Sequence, residues 1–600
     1  MYRGTWLLAG IPLLAAAFSV SHPVPLRPPR LPPDFDSVTA RQFAEQLAER
    51  YPNRSPGSDK AAEAAAWVAR QLSQYGFRTE ADRFHAKIPG RGSVQLENLL
   101  AFRQGRSTQA IVVVAHRDNS GSSPGANDNA SGTAALLELA RSYATPRAPP
   151  RPPEPIHTIL FLSTDGGAFG GLGAERFATH SPYRDRVVAV INLDSIAGAG
   201  RPRLVFAGDR PRSPSAALVR TAAARILEQT RAEPVRPSAL GQLVDLAFPF
   251  SLYEQAPFIA EGVAAVTLTS AGDRPPPAFG DSPERLNTGR LAGIGRSAHA
   301  LLGSLDDEAE LAEGTSSYVY LGSRVVRGWA IVLILCAALL PCLAVIVDLF
   351  ARLRRRHVPL APALRSYRSR LSFWLFAVVV FELFAFVGIW DTGAARPLSP
   401  EGSPGTRWPL GGLALFACLL GVGWIVARDR LLPRRPLREG DELAGQIAAL
   451  LALAVLSLLL VVINPFSILF VLPSLHAWIW LPQLRLRSPA IAAATLAAGF
   501  AGPLLLVGSF AVRLDLGLDA PWYVAELAAV GFVPFPMLLV CAAWLGVAGQ
   551  LAAIVAGRYA PYPSAGERPR LGPARRLVRA GLLTARRRRR AAPPDRAVGG

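Results

Sequence analysis

Histidine and carboxylate side chains directly follow two of the apolar runs in the N-terminal half of the chain. His116 follows Ile111–Ala115, Asp194 follows Val187–Leu193, and Asp128 lies in the loop between these runs. In an open α/β sheet the carboxyl ends of the strands meet at one edge, where ligands bind. Catalytic zinc commonly takes three protein ligands and a water, and histidine with carboxylates is a suitable ligand set. The spacing therefore predicts a zinc site formed by His116, Asp128 and Asp194.

Two further features support this set. Asp118, two residues past His116, can accept the other N–H of the imidazole and fix its tautomer. Asp128 is expected at the start of the helix Ala130–Tyr143, whose N-terminus would favour its negative charge. Each residue alone also has an ordinary explanation, since a histidine after a strand is usually a core or surface residue and an aspartate before a helix is usually a cap. The whole motif, Ala-His-Arg-Asp followed by Gly-Ala-Asn-Asp-Asn-Ala-Ser-Gly, is much harder to obtain by chance.

Cysteine chemistry is excluded from this half of the chain. All cysteines lie in apolar runs of the second half, at Cys336, Cys342, Cys418 and Cys541. A disulfide framework and thiolate metal ligands are therefore both ruled out in the N-terminal half.

The elements that would position these side chains alternate between helical and β patterns from Asp36 to about Leu311. Helical spacing occurs at Val38–Tyr51, Asp59–Tyr75, Ala130–Tyr143 and around Glu175–Thr179. Compact apolar runs occur at Ile111–Ala115, Thr158–Leu162, Val187–Leu193 and Val263–Thr269. Strands that are apolar throughout and separated by helices indicate a sheet covered on both faces. We therefore predict an α/β domain with a mostly parallel sheet and helices on both faces.

The composition of the whole chain indicates which class of protein contains this domain. The 64 basic and 44 acidic residues give a net charge of +20, which suits either nucleic acid or a membrane. However, 50% of the residues are hydrophobic, the mean hydropathy is +0.25, and the arginines cluster between apolar runs. These features favour a membrane protein whose partner is the lipid bilayer and give no reason to expect nucleic-acid binding.

The second half contains apolar runs of roughly the length needed to span a bilayer. They are Trp329–Val347, Leu371–Trp390, Leu410–Ala427, Ile447–Val462, Phe466–Trp480, Ala490–Val512 and Phe532–Ala556. They predict an all-α transmembrane bundle. Glu382, near the middle of the second run, is either a functional group of the membrane interior or a helix–helix hydrogen-bonding residue.

The loops between these runs alternate in charge. Arginine is abundant in Arg352–Arg370, Arg428–Arg438, Arg485–Arg487 and the tail from Arg558. The intervening loops, Asp391–Arg407, Asn464-Pro465 and Arg513–Asp519, are nearly balanced or uncharged. Because arginine-rich loops stay in the cytoplasm, we predict a multi-pass protein of the cell membrane with its N-terminal domain external and its tail cytoplasmic.

These patterns divide the chain into five parts. Residues 1–21 are expected to be a signal anchor or a cleaved signal peptide, and residues 22–35 form a Pro-rich spacer. The α/β domain is predicted over residues 36–311, the transmembrane domain over 328–556, and an Arg-rich cytoplasmic tail over 557–600.

The α/β part resembles a known family, the di-zinc aminopeptidases of the aminopeptidase Y and Streptomyces aminopeptidase type. The resemblance covers roughly Ser37–Leu305 and includes the stretch Tyr51-Pro-Asn-Arg-Ser-Pro-Gly-Ser58. It implies that His116, Asp128 and Asp194 correspond to the family's first zinc site. The order of anchor, peptidase domain and multi-span region resembles the branch that contains vacuolar membrane protease and endoplasmic reticulum metallopeptidase.

The chain departs from the family pattern at two places. The family's Asp-Gly-Glu-Glu-x-Gly motif, which the resemblance implies should supply the general base and a second-zinc ligand, reads Asp165-Gly-Gly-Ala-Phe-Gly170 here. The family base position is therefore Gly167, which leaves Asp165 as a candidate base. The family's last histidine ligand is also missing, because Thr269–Asp281 contains no histidine. We therefore expect one zinc ion at most.

The departures leave three functional hypotheses open. One is a hydrolase with one zinc ion and a base that the family pattern does not identify. Another is a degenerate peptidase domain with weak or lost hydrolysis, which binds a peptide or protein at the external cleft. The last makes the bundle the functional part, a transporter or scaffold with an external sensor domain. The ligand set favours weak or lost peptidase chemistry.

Overall fold

The structure is a computed structural model of the 600-residue chain. It describes residues 10, 12–144, 154–272, 280–400, 408–432, 440–481, 488–561, 580 and 583–584. Parts of three predicted cytoplasmic segments, 433–439, 482–487 and most of the tail, lie outside the described residues, as do residues 1–9 and 273–279.

A seven-stranded mixed sheet forms the centre of the N-terminal domain. Its strands are β1 (Thr79–Ile88), β2 (Gly92–Arg103), β3 (Ala110–His116), β4 (Thr158–Thr164), β5 (Val187–Leu193), β6 (Arg203–Val205) and β7 (Ala264–Thr269). They are arranged in the order β1-β2-β4-β3-β5-β7-β6. The four strands expected from apolar runs, β3, β4, β5 and β7, form the parallel centre. The pairings β1–β2, β2–β4 and β6–β7 are antiparallel, so the sheet is more mixed than the sequence indicated.

Helices cover both faces of the sheet, as predicted. They are α1 (Ser37–Arg50), α2 (Asp59–Gln74), α3 (Gly132–Ser142), α4 (Leu172–His180), α5 (Ala216–Thr230), α6 (Ala239–Ala247), α7 (Gln255–Ala260) and α8 (Thr288–Glu308). Successive side chains of a strand point to opposite faces. Thus Val113 and Ala115 of β3 belong to a large core with helices α1, α2, α3, α5 and α8, whereas Val112 and Val114 pack with Phe258 of α7 on the other face.

The C-terminal part is a helical bundle. Its helices are α9 (Gly328–Arg355), α10 (Ala361–Phe386), α11 (Leu410–Leu431), α12 (Asp441–Ile463), α13 (Ile468–Trp478), α14 (Pro489–Ala498), α15 (Ala501–Arg513), α16 (Ala520–Ala529) and α17 (Phe535–Val555). Within the described residues, five helices are long and apolar enough to cross a membrane, or six if the pair α14 and α15, bent by 51°, is one span. Glu382 lies half-buried on α10.

The expectation of one span for each apolar run is wrong for Phe466–Trp480. This run is the 3₁₀ turn Pro465–Ser467 followed by α13, a helix of 11 residues. At 1.5 Å per residue, such a helix is only about 16 Å long, roughly half the hydrocarbon thickness of a bilayer. Pro465 begins a new turn after α12 and Pro473 lies inside α13, so apolar composition alone overestimated the length of straight helix.

Among the described residues, three loops of the bundle contact the N-terminal domain. Arg396 lies beside Gly170, with its Nε donating to the Gly170 carbonyl oxygen at 2.6 Å. Asn464 Nδ2 donates to the Leu246 carbonyl oxygen at 2.9 Å, and Arg513 forms an ion pair with Asp245. These are the three loops whose sequences carry little net charge, and they lie at the same end of the bundle as the domain. On the arginine-rich side, Arg370 of α10 contacts the end of α11, since its Nη2 donates to the Leu431 carbonyl oxygen at 2.7 Å.

Candidate metal centre

The structure brings His116, Asp128 and Asp194 together at the carboxyl edge of the sheet. His116 Nε2 lies 3.4 Å from Asp128 Oδ1 and 3.4 Å from Asp194 Oδ2. The three residues each offer one potential metal-ligand atom, and these atoms lie within 4.8 Å of one another. This convergence follows from the parallel register, because β3 and β5 are neighbours that end at His116 and just before Asp194.

Asp128 reaches this position from a turn and does not cap a helix, so the expected helix-start role is corrected. The segment Ala126–Ser131 is a turn in which Asp128 has non-helical φ and ψ angles, and α3 begins only at Gly132. Its backbone is held from outside, since the Asp281 carboxylate accepts from Asn127 N at 2.6 Å and from Asp128 N at 2.8 Å. Asp281 therefore fixes the direction of the Asp128 side chain.

Asn129 ties the same turn to the end of β5. Its Nδ2 donates to the Leu193 carbonyl oxygen at 2.9 Å, and its Oδ1 accepts from Ser195 N at 2.9 Å. On the other side, the fully buried Arg54 donates to the carbonyl oxygens of Arg117 and Gly125. These bonds hold the turn against both strands that carry the remaining members of the set.

Asp118 contacts His116 and also binds a second segment. Its backbone carbonyl oxygen lies 3.2 Å and its Oδ1 3.3 Å from His116 Nδ1, on the side of the ring opposite Asp128 and Asp194. The same carboxylate accepts from Gly167 N at 2.9 Å and from Ala168 N at 3.1 Å. Asp118 therefore joins the imidazole to the turn that follows β4.

At the positions where the resembling family has two glutamates, that turn makes a close backbone contact with His116. A Cβ atom added to Gly167 would lie 2.2 Å from both Cβ and Cγ of His116. Real Cβ atoms essentially never come that close to another side chain, so no residue larger than glycine fits without moving the imidazole. The family base position is therefore closed by packing.

The electrostatics of the set favour a bound cation. Burial lowers the pKa of His116, but hydrogen bonds with Asp118, Asp128 and Asp194 outweigh it and raise that pKa well above its usual value. Burial also raises the pKa of Asp194. Three carboxylates around one buried imidazole are an excess of negative charge, and imidazole nitrogen with carboxylate oxygens is a ligand set that zinc accepts. The residues present therefore fit one zinc ion.

Asp165, the sequence candidate for the base, is occupied by structural bonds. Its carboxylate accepts from Gly166 N at 2.9 Å and from Glu97 N at 3.3 Å, and it lies 3.5 Å from the Arg117 guanidinium. Burial raises its pKa to about 6. Thr164 pairs with His116 in register, so both side chains lie on the same face of the sheet. The side chain of the next residue, Asp165, therefore begins on the face opposite to His116.

Sequence reasoning missed Glu254, a fully buried carboxylate near the centre. It precedes α7 and accepts from Thr164 Oγ1 at 2.6 Å through Oε1. Within the described residues, no donor reaches its Oε2. Burial raises its pKa to about 7, although His116 acts in the opposite direction. Nothing in the local sequence, Ser-Leu-Tyr-Glu-Gln, distinguishes this glutamate from an ordinary helix-start residue.

Comparison with known proteins shows similarity to one family of peptidases. Residues 98–289 match the model of peptidase family M28. Vacuolar membrane protease of Clavispora lusitaniae is 32% identical over 102 residues, which are 17% of this chain and 9% of that protein. Human transferrin receptor protein 2 is 28% identical over 170 residues, 28% of this chain and 18% of the receptor. The chain thus spans less than a fifth of either relative.

Among solved structures, the zinc aminopeptidase BSAP of Bacillus subtilis aligns over 45% of this chain and 95% of its own, with 15% identity and a TM-score of 0.37. The family match spans β3, β4, β5 and β7 and includes His116, Asp128 and Asp194. The chain therefore carries a domain of peptidase family M28 over residues 98–289.

Proposed function

We propose that this chain is a multi-pass protein of the cell membrane whose M28 domain binds a single zinc ion and has weak or lost peptide hydrolysis. Its ligands would be His116, Asp128 and Asp194, with Asp118 fixing the imidazole. The domain faces the outside, where its cleft binds a peptide or protein, and the Arg-rich tail lies in the cytoplasm.

The contact between Gly167 and His116 carries this proposal. A Cβ at residue 167 would lie 2.2 Å from the imidazole, so the position that holds the base in the resembling family cannot hold a side chain here. General-base assistance contributes roughly 10²- to 10⁴-fold to such reactions. Without a replacement, peptide hydrolysis would fall by about that factor.

The chemistry that remains is binding and polarisation. A zinc ion at the centre would supply Lewis acidity toward a carbonyl oxygen. His116, Asp128 and Asp194 would hold it, and the amides of Gly167 and Ala168 keep Asp118 aimed at the imidazole. These groups are sufficient to bind a peptide carbonyl, and none of them is a free base.

The range of relatives supports a binding role. One is named a protease and another is named a receptor, so similarity to this domain does not by itself imply hydrolysis. A cleft that recognises peptides without cleaving them would make the domain a sensor on the membrane bundle.

Glu254 favours a second candidate function, slow hydrolysis with a relocated base. Its Oε2 is buried without a hydrogen-bond partner among the described residues, and an unpaired buried carboxylate is costly unless it serves another role. Because Thr164 and His116 pair in register, the carboxylate bound to Thr164 lies on the His116 face of the sheet. Glu254 is thus a better-placed base than Asp165.

Hydrolysis of aminoacyl and peptide substrates by the zinc-loaded full-length protein in detergent separates these candidates. We expect turnover no greater than that of His116→Ala, together with zinc-dependent binding of peptides. Robust turnover that disappears in His116→Ala and falls at least 100-fold in Glu254→Gln would contradict lost hydrolysis and establish the second candidate.

A further inference from the structure

The loop between α10 and α11 lies against the turn that supports the metal centre. We call residues 391–400 the Arg396 loop. On the bundle side, Tyr523 Oη donates to the Leu398 carbonyl oxygen at 2.7 Å. On the domain side, Ala394 packs in a cluster with Phe169 and Leu172. The Arg396 loop therefore has one anchor in the bundle and another in the M28 domain.

Arg396 makes buried polar contacts with the domain. Its Nε donates to the Gly170 carbonyl oxygen at 2.6 Å, and its Nη1 forms an ion pair with Asp209. The two side chains are only 7% and 10% exposed. A buried ion pair that loses one partner leaves an uncompensated charge, so the guanidinium is held firmly in this position.

The Arg396 loop packs directly against the backbone of Gly170. Its φ of 92° is in the left-handed region, and a Cβ there would lie 2.4 Å from the Pro397 carbonyl oxygen and 2.7 Å from Arg396 Cβ. Both observations require glycine at this position. The turn and the Arg396 loop therefore fit each other without space for a side chain between them.

The same turn contacts the metal centre at its other end. Gly167 and Ala168 donate their backbone N–H groups to the Asp118 carboxylate, and Asp118 lies against His116 Nδ1. A continuous series of contacts thus runs from Arg396 through the turn 167–170 and Asp118 to His116. The polar contacts in this series are buried or partly buried, so small displacements are costly.

Two other contacts between the bundle and the domain lie away from this turn. Asn464 binds the carbonyl oxygen of Leu246, and Arg513 pairs with Asp245, so both attach to α6 (Ala239–Ala247). They are suitable controls, because they hold the two parts together without touching the turn or Asp118.

We propose that Arg396 is a positioning residue for the metal centre, so that zinc binding in the M28 domain and the position of the Arg396 loop of the membrane bundle depend on each other. The proposal rests on the one-zinc function proposed above. Zinc holds His116 in its ligand position, His116 holds Asp118 and the turn, and the turn holds Arg396. Because such coupling is reciprocal, zinc must stabilise the Arg396 loop to the extent that Arg396 strengthens zinc binding.

The zinc affinity of the full-length protein in detergent, measured by competition with a chelator, tests whether Arg396 strengthens zinc binding. Arg396→Gln should weaken zinc binding about 3- to 10-fold, and Arg513→Gln should leave it at the wild-type value. Arg396→Lys keeps the charge but cannot reproduce the two-sided contact, and it should be intermediate. If Arg396→Gln fails to fold, Arg396→Lys and Asp209→Asn carry the same test.

Hydrogen exchange of peptides covering residues 391–400 tests whether zinc stabilises the Arg396 loop. Zinc should slow exchange there in the wild-type protein and in Arg513→Gln, but not in Arg396→Gln at saturating zinc. The proposal would be overturned by unchanged zinc affinity in the Arg396 variants or by an equal loss of zinc affinity in Arg513→Gln. Hydrogen exchange of residues 391–400 that does not change with zinc would also overturn it. A wild-type protein that binds no zinc would instead remove the proposed function itself, and the coupling with it.

Discussion

Gly167 lies so close to His116 that a Cβ at residue 167 would be 2.2 Å from the imidazole Cγ. The turn around it is fastened to the same histidine through Asp118. The backbone of this turn therefore occupies space that a catalytic side chain would need. Where the resembling family has a glutamate, this chain therefore has backbone that supports His116.

Gly167→Ala should damage the centre although it adds a single methyl group. Overpacking of a buried site typically costs about 1–3 kcal/mol, and here the displaced group is a metal ligand. We expect a lower unfolding temperature and weaker zinc binding, both measured on the full-length protein in detergent. Ala168→Ser is the matched control, since Ala168 is half-buried, and it should behave as wild type. Full zinc affinity in Gly167→Ala would show that the turn can move away.

Asp118→Asn should weaken zinc binding about 10- to 100-fold, the usual effect of losing an outer partner of a ligating histidine. The amide cannot accept from His116 Nδ1 and from both backbone N–H groups at once. Asp165→Asn, which alters another buried carboxylate of the domain, should change zinc affinity little. Isothermal titration of the metal-free proteins compares the two. Equal losses in both variants would mean that general destabilisation is the cause.

Glu254→Gln should change how stability depends on pH. The pKa of Glu254 is raised from 4.5 to about 7 by burial, so the folded protein binds the proton more tightly than the unfolded chain. Wild-type stability therefore falls as the pH rises from 4.5 to about 7, by at most about 3 kcal/mol for a shift of this size. The glutamine variant lacks this loss.

Unfolding temperatures of metal-free Glu254→Gln and wild type should thus agree below pH 4.5 and diverge as the pH rises to about 7, with the variant more stable at higher pH. Glu261→Gln, at the exposed end of the same helix, is the control and should follow wild type. A constant difference at all pH values would indicate a packing effect unrelated to ionisation.

Much of the fold and the convergence of the candidate metal ligands could be predicted because strand ends are encoded locally. Apolar runs of β-branched residues identified β3 and β5, and parallel pairing then required His116 and Asp194 to meet at one edge. The motif around Asp128 added the remaining ligand. The hairpin β1–β2 was not predicted, because β1 consists mostly of exposed and half-buried residues and contains charges that resemble a surface segment.

The remaining features depend on contacts distant in sequence. Glu254 carries no local signal, and its importance comes from Thr164, 90 residues earlier. Arg396 lies in a loop predicted only to be external, yet it reaches Gly170, 226 residues earlier. The bend between α14 and α15 and the short α13 also depend on packing, which hydropathy does not report.

Labelling of introduced cysteines tests the proposed orientation. In a cysteine-free background, an impermeant maleimide should label Leu518→Cys, an exposed site near the domain, in intact cells. His357→Cys, exposed in the arginine-rich loop after α9, should react only after permeabilisation. The reverse pattern would place the M28 domain in the cytoplasm.

Zinc stoichiometry of the purified full-length protein tests the central claim most directly. Elemental analysis after equilibration with zinc and removal of loosely bound metal should give one ion per chain, falling to none in His116→Ala and in Asp194→Ala. Two tightly bound ions per chain would contradict the one-metal centre by requiring ligands outside His116, Asp128 and Asp194. A wild-type chain without zinc would contradict it equally, and Asp128 would then be only a turn residue held by Asp281.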